Sequence, residues 1–276
     1  MNQGCFLLSV DLEDVRDGIP EGHRLADRVP AITHRLLDCF RQARVHVTFF
    51  VTGAVALRHR SLLAEIAQEG HELACHTYAH KPLDHYTVAE FENDLHRNIE
   101  VIAGVAREPV RGFRAPVLSM TEHTVWVYPV LARHGITYSS SVLPAKNPLY
   151  GWPGFGHCPC RIEGVLEIPV TVARFAYWTV PFASGVYFRV LPYWFVRYQF
   201  VAHSRLHRPV SSYLHPYDFD VDQQRVPHPG LGANRFYNFL IYYNRRGALA
   251  RLQRILSLHV PTQRYGEFAA SWGEST

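Results

Sequence analysis

The sequence predicts an α/β fold on a mainly parallel sheet, closed into a barrel within a single domain. Short β-branched and aromatic runs alternate with amphipathic helical patterns along the chain. Polar clusters stand directly after the strand runs, at the strand ends where parallel folds keep their sites. With 276 residues, 47% hydrophobic and 19% charged, there is apolar material for one sizeable core. That excludes disordered, collagen-like and small disulfide-held architectures.

Residues 6–10 read as a first buried strand. A helix over 31–44 places Ile32, Leu36, Leu37 and Phe40 on one face, with Pro30 near its start. Residues 47–51 form a second strand and 55–69 a second helix, which Gly70 stops at a natural C′ position. A third strand over 72–75 precedes a helix over 87–106, opened by Thr87 and Glu90 as a capping box. Beyond these come a helix over 121–134, strands near 136–139 and 165–170, a helix near 193–203, and a strand over 210–215. A last helix lies between 236 and 256. The Pro- and Gly-rich stretches 144–159 and 227–232 read as loops inside one domain, 1–276, whose core runs from about 5 to 258.

Charge and cysteine usage narrow the function. The net charge of +4 comes almost wholly from arginine, since Lys81 and Lys146 are the two lysines, and it is spread along the chain. That is too weak and scattered to predict nucleic-acid binding. Five cysteines without a C-x-x-C pair suit reduced thiols in a cytoplasmic protein. The apolar run 5–10 is broken by Asp11, too early for a signal-peptide core, and no stretch approaches a membrane span.

Seventeen histidines are the unusual feature, and some stand at strand ends with other chemistry-bearing groups. Asp11-Leu12-Glu13-Asp14 follows the first strand, and His76-Thr77-Tyr78-Ala79-His80 the third. Arg114-Ala115-Pro116 and His215-Pro216-Tyr217-Asp218 follow later ones. His76 and His80 would share a helical face or meet across a tight turn, suiting one divalent metal. Two histidines and a carboxylate make a catalytic metal site with open positions. A second carboxylate can act as base, and an arginine can hold it ionised. The set describes metal-assisted hydrolysis. A further stretch crowds Tyr187, Phe188, Tyr193, Trp194, Phe195, Tyr198 and Phe200 with Arg189 and Arg197. It reads as helix core, as a sugar-stacking platform, or as an interfacial patch facing a lipid-linked glycan. Tyr187, Arg189 and the loop residue Trp152 are candidates to line a sugar site.

These landmarks resemble the NodB-type polysaccharide deacetylases, carbohydrate esterase family 4. Ser9-Val10-Asp11-Leu12-Glu13-Asp14 stands where the family has Thr-Phe-Asp-Asp-Gly. Residues 47–53 look like its ATFFV-x-G strand, and 70–80 are close to its GHE…H-[ST]-x-x-H motif. Arg114-Ala115-Pro116 matches R-x-P, and Tyr213-Leu214-His215 matches the late L-x-H. The D-x-E-D variant, with 185–193 and the YLHP segment, looks like the exopolysaccharide-biosynthesis branch.

The resemblance implies a deformed (β/α) barrel binding one divalent ion, usually zinc, sometimes cobalt or nickel. His76 and His80 would be ligands, with Glu13 or Asp14 as the third; a turn bringing Asp14 round is the favoured expectation. Asp11 would be the general base, paired with Arg114, and His215 the general acid. The N–H of Val117, just after Pro116, would help stabilise the oxyanion, and Leu214 would pack beside the acetyl methyl. The substrate would be an N-acetylated amino sugar of a surface polysaccharide, or its nucleotide- or lipid-linked precursor. A lipid-linked substrate would bring peripheral contact with the inner face of the membrane. Deformylation or cyclic-imide hydrolysis would fit the same residues. Ser139 stands where this branch usually has an aspartate. If that aspartate orients the acid histidine, Asp218 or Asp220 must replace it, or the chain is a catalytically weak glycan binder.

Overall fold

Seven strands form the sheet that carries the candidate site. The computed structural model describes residues 4–226 and 234–272. In chain order these hold β1 (Phe6–Leu7), β2 (Ser9–Leu12), α1 (Val29–Ala43), β3 (Thr48–Val51), α2 (Gly53–Arg58), α3 (Arg60–Gln68) and β4 (Glu72–Cys75). Next come α4 (Val88–Ala103), β5 (Gly112–Phe113), α5 (Val127–Arg133), β6 (Tyr138–Ser139), β7 (Cys160–Ile162) and β8 (Val165–Glu167). The rest are β9 (Ala173–Phe175), β10 (Trp178–Val180), α6 (Gly185–Val190), α7 (Tyr193–Arg205), β11 (Val210–Ser211), α8 (Arg235–Tyr242), α9 (Arg245–Leu256) and α10 (Tyr265–Trp272).

The main sheet runs β2-β3-β4-β5-β6-β8-β7, parallel except for β7. β1 pairs with β11 in parallel, and Leu214 bridges Val10 one step further along. Strand pairing leaves the ring open between β8 and β11. Bonds from Ser211 to Pro169 and Thr171 span that gap, with Ser211 Oγ 2.6 Å from the Pro169 carbonyl. The result is a single α/β domain on a mainly parallel sheet that strand pairing does not close into a full barrel. Its inner strands are buried on both faces, as β3 shows with four buried residues in a row.

Local signals act as the sequence predicts in several places. Thr87 caps α4 with Glu90 completing the box, and Gly70 takes φ 84° after α3. Elsewhere competition changes the boundaries. The helix expected over 121–134 shrinks to α5, because Thr121 and Thr124 hydroxyls bond to nearby backbone instead. The helix expected over 236–256 divides into α8 and α9 at Asn244, a residue that tolerates its φ of 55°. The helix expected over 55–69 breaks at His59, and nothing in the local sequence marks that break. The core also extends beyond the expected limit at 258, since Tyr265 of α10 is fully buried against Phe50 and Tyr138. The stretch 227–232, read as a loop, lies outside the described residues. Among the described residues, no helix is long and apolar enough to cross a membrane.

Candidate active site

The strand ends bring three short motifs together. Asp11 is the third residue of β2, and Glu13 follows the strand by one, so alternation sets both on one side. His76 follows β4 directly. Its Nδ1 lies 2.9 Å from the Arg114 carbonyl oxygen, which can only accept. That contact makes Nδ1 a donor, so Nε2 is the ring nitrogen turned to Glu13 Oε2, at 3.6 Å.

After His76 the chain turns tightly rather than forming a helix. Thr77 and His80 have φ of 60° and 51°. The turn is tied from α4: Asp94 accepts from the N–H groups of Tyr78 and Ala79, at 2.6 and 2.9 Å, and from the Tyr86 hydroxyl. The His80 ring thereby sits 4.9 Å from that of His76, with Nε2 2.5 Å from Glu13 Oε2. Glu13, His76 and His80 each offer a ligating atom, all within 4.8 Å of one another. His80 Nε2 is buried and lacks an aligned hydrogen-bond partner. An unsatisfied buried imidazole nitrogen beside a carboxylate and a second imidazole fits a divalent ion. Burial works against charge on Glu13, but the His80 charge and the close approach of both imidazoles outweigh it and hold the carboxyl well below its usual range. His80 is raised in return, Glu13 overcoming the effect of burial.

Arg114 is fully buried, and its Nη1 lies 2.6 Å from Asp11 Oδ1. The remaining donors go to Ser9 Oγ, Ser140 and the Tyr265 hydroxyl, and the guanidinium packs 4.0 Å over Phe50. Burial lowers the Arg114 pKa but the Asp11 charge outweighs it, so the guanidinium stays charged. The bridge between Val10 and Leu214 brings the late motif to the same edge: the Asp11 N–H donates to the Leu214 carbonyl at 2.8 Å. His215 Nε2 consequently lies 3.9 Å from Asp11 Oδ2 and 3.8 Å from Glu13 Oε1. The other ring nitrogen, Nδ1, is 2.9 Å from Asp218 Oδ2, and Tyr217 stacks on the ring at 4.5 Å. Desolvation disfavours the His215 cation, yet the Asp218 hydrogen bond and the Glu13, Asp218 and Asp11 charges push its pKa up to about 9. The Tyr217 hydroxyl donates to Glu13 Oε1 at 3.0 Å, tying the two halves of the site.

Two expected roles are corrected by this geometry. Asp14 does not turn toward the histidines. It caps the short turn after β2 through the Arg16 N–H, and its carboxylate is bound by Arg16 at 2.6 Å and Arg58 at 3.1 Å. Glu13 lies beside the two imidazoles instead. Arg189 does not face a substrate either, being only 1% exposed. Its Nε donates to Asp218 Oδ1 at 2.9 Å and its other donors go to the carbonyls of Leu240, Ile241 and Tyr243.

The open question over Ser139 is answered in the same place. Asp218 holds His215, whereas Asp220 is bound by Arg28 at 2.9 Å. Ser139 shares a 2.8 Å contact with Ser141. Leu214 and Pro116 are buried, while Val117 is 41% exposed with φ 49°, strained for a β-branched residue. Trp152 is half-buried edge-on to Phe155, and Tyr187 is half-buried against the core. Sequence reasoning missed Asp94, Tyr217 and Tyr265. Tyr217 was within reach, two residues after His215; the other two are fixed by contacts from distant helices.

Known proteins resemble parts of this chain. Residues 20–139 match the polysaccharide deacetylase family model, and residues 140–269 match a domain of unknown function, DUF3473. A peptidoglycan-N-acetylglucosamine deacetylase of Bacillus cereus is 30% identical over 91 residues, 33% of this chain and 33% of that protein. A chitooligosaccharide deacetylase of a Bradyrhizobium species is 32% identical over 104 residues, 37% of this chain and 45% of that protein. The matched segments thus span under half of these relatives. A Mycobacterium smegmatis structure labelled a polysaccharide deacetylase shares the fold, with a TM-score of 0.65 at 18% identity over 99% of this chain and 92% of that one. A Bacillus anthracis pseudoenzyme of carbohydrate esterase family 4 shares it at a TM-score of 0.54 and 11% identity, over 97% and 66% of the two chains. The family-model match is confined to residues 20–139, and the solved structures share the fold. His215, Asp218 and Arg189 fall in the DUF3473 segment.

Proposed function

We propose that this protein is a metal-dependent hydrolase that removes the N-acetyl group from an amino sugar of a surface polysaccharide or of its nucleotide- or lipid-linked precursor. The observation that carries the reading is one strand-end edge holding Glu13, His76 and His80 within 4.8 Å, flanked by the Asp11–Arg114 and His215–Asp218 pairs. A divalent ion held by Glu13, His76 and His80, most simply zinc, would supply Lewis-acid polarisation and a more acidic water. Asp11, paired with Arg114, takes a proton from the attacking water as its oxygen bonds the acetyl carbon. The Val117 N–H donates to the oxyanion. His215, protonated at neutral pH, gives its proton to the amine as the C–N bond breaks, releasing acetate and the free amino sugar. Leu214 packs beside the acetyl methyl, and Tyr187 and Trp152 lie along the sugar. All five cysteines are unpaired, which suits a cytoplasmic enzyme.

Acetate release from a panel of nucleotide- and lipid-linked N-acetyl sugars, with and without chelator, tests this. Release that chelator stops and added zinc restores is expected. A folded, metal-loaded protein that releases no acetate from any of them contradicts it.

A further inference from the structure

The positive charge, dispersed along the sequence, is segregated between its halves. Residues 168–276 hold twelve arginines, three aspartates and two glutamates, whereas residues 1–167 hold 16 Lys+Arg and 19 Asp+Glu. The three aspartates are already engaged, Asp218 by Arg189 and His215, Asp220 and Asp222 by Arg28.

Part of this excess forms a surface with exposed aromatic rings. On α7, Phe195, Val196 and Phe200 face inward. Trp194, Arg197, Tyr198 and Arg205 fall on the opposite face by helical spacing, with Trp194 67% and Tyr198 63% exposed. The β9–β10 hairpin adjoins α7 through the Phe175–Phe195 contact at 4.8 Å. Its turn presents Tyr177 and Trp178, 90% and 66% exposed, beside the exposed Arg174. Arg254 of α9 lies 5.8 Å over Tyr193, joining a third element. Among the described residues Arg174, Arg197, Arg205, Arg208 and Arg254 have no ion-pair partner.

Chemistry selects the occupant. A glycan platform pairs stacking rings with carboxylates or amides that accept from hydroxyls, and this face offers guanidinium donors instead. Guanidinium groups match phosphate oxygens, and Trp and Tyr rings settle at the headgroup level of a bilayer. We infer that the α7 and β9–β10 face docks on an anionic phospholipid surface as a peripheral contact. The inference does not depend on the catalytic reading, and its test reads binding alone.

The full chain is sedimented with vesicles of phosphatidylglycerol and phosphatidylcholine, and with phosphatidylcholine alone. Brominated phosphatidylcholine in the mixed vesicles reports tryptophan depth. Binding to the anionic vesicles at least tenfold tighter than to the neutral ones, with tryptophan quenching, is expected. Neutralising Arg174→Gln, Arg197→Gln and Arg205→Gln together should weaken binding tenfold or more, each arginine near such a surface being worth roughly fivefold. The pair Trp178→Ser and Trp194→Ser should remove most of the quenching. All five side chains are exposed, so wild-type melting temperatures are expected and establish that fold is unchanged. Equal binding to both vesicle types overturns the inference, as does anionic binding that the arginine substitutions leave intact. Unquenched binding matched in strength by single-stranded DNA also overturns it, marking a general polyanion contact.

Discussion

The two halves of the site are built in different ways. Glu13, His76 and His80 are brought together by short-range backbone geometry: a strand end, a turn with two left-handed residues, and α4 tying the turn through Asp94. The proton-handling half is held by ion pairs between buried side chains. Arg114 reaches Asp11, and Arg189 reaches Asp218, which in turn holds His215. Backbone turns suit a site that must fit one ion closely. Buried ion pairs suit groups whose charge must be fixed while a proton passes between them. The metal half should therefore fail through loss of a ligand, and the proton half through altered charge with the ion still bound.

Asp11→Asn is expected to have the largest effect, cutting turnover about 10²–10⁴-fold while metal content stays at the wild-type level. Full activity in that variant would break the division. Asp218→Asn should follow, lowering kcat about 10–100-fold. Its pH profile sharpens the point. His215 is raised from 6.5 to about 9, so the acid form persists to that pH and activity falls as pH rises through it. Without the Asp218 charge the alkaline limb should move down toward 6.5. An unmoved limb would show that Asp218 does not set the charge of His215. The raised pKa also means that the His215 contribution to stability is complete below 6.5 and is lost as pH rises through about 9.

Arg189→Met should act on stability more than on chemistry, leaving the buried Asp218 carboxylate with His215 as its remaining partner, at a cost of about 3 kcal/mol in denaturant unfolding. Asp14→Asn is the smallest test. It should cost about 1 kcal/mol of stability, by loosening Arg16 and Arg58, and leave metal content unchanged. Loss of metal in that variant would return the third ligand position to Asp14.

What was legible in the sequence follows the same division. Asp11, His76, His80, Arg114 and His215 could be read because each stands at a strand end, where the strand pattern itself locates them. The choice between Glu13 and Asp14 could not, since it depends on Arg58, 44 residues away, taking the Asp14 carboxylate. Arg189 looked like a sugar contact because it sits among aromatic residues; only tertiary packing shows its donors spent on Asp218 and three carbonyls. Tyr265 reaches Arg114 across 151 residues of sequence, and no local pattern announces that. The strand-and-helix alternation was clear, and the boundaries that shifted did so where side chains such as Thr124 compete for backbone groups.

The most direct test measures bound metal and acetate release side by side in the wild type, His76→Ala and His215→Ala. The wild type should hold one ion per chain and release acetate, His76→Ala should lose both, and His215→Ala should keep the ion and lose the release. Metal retained by His76→Ala with undiminished activity, or metal lost from His215→Ala, would contradict the separation of the two halves.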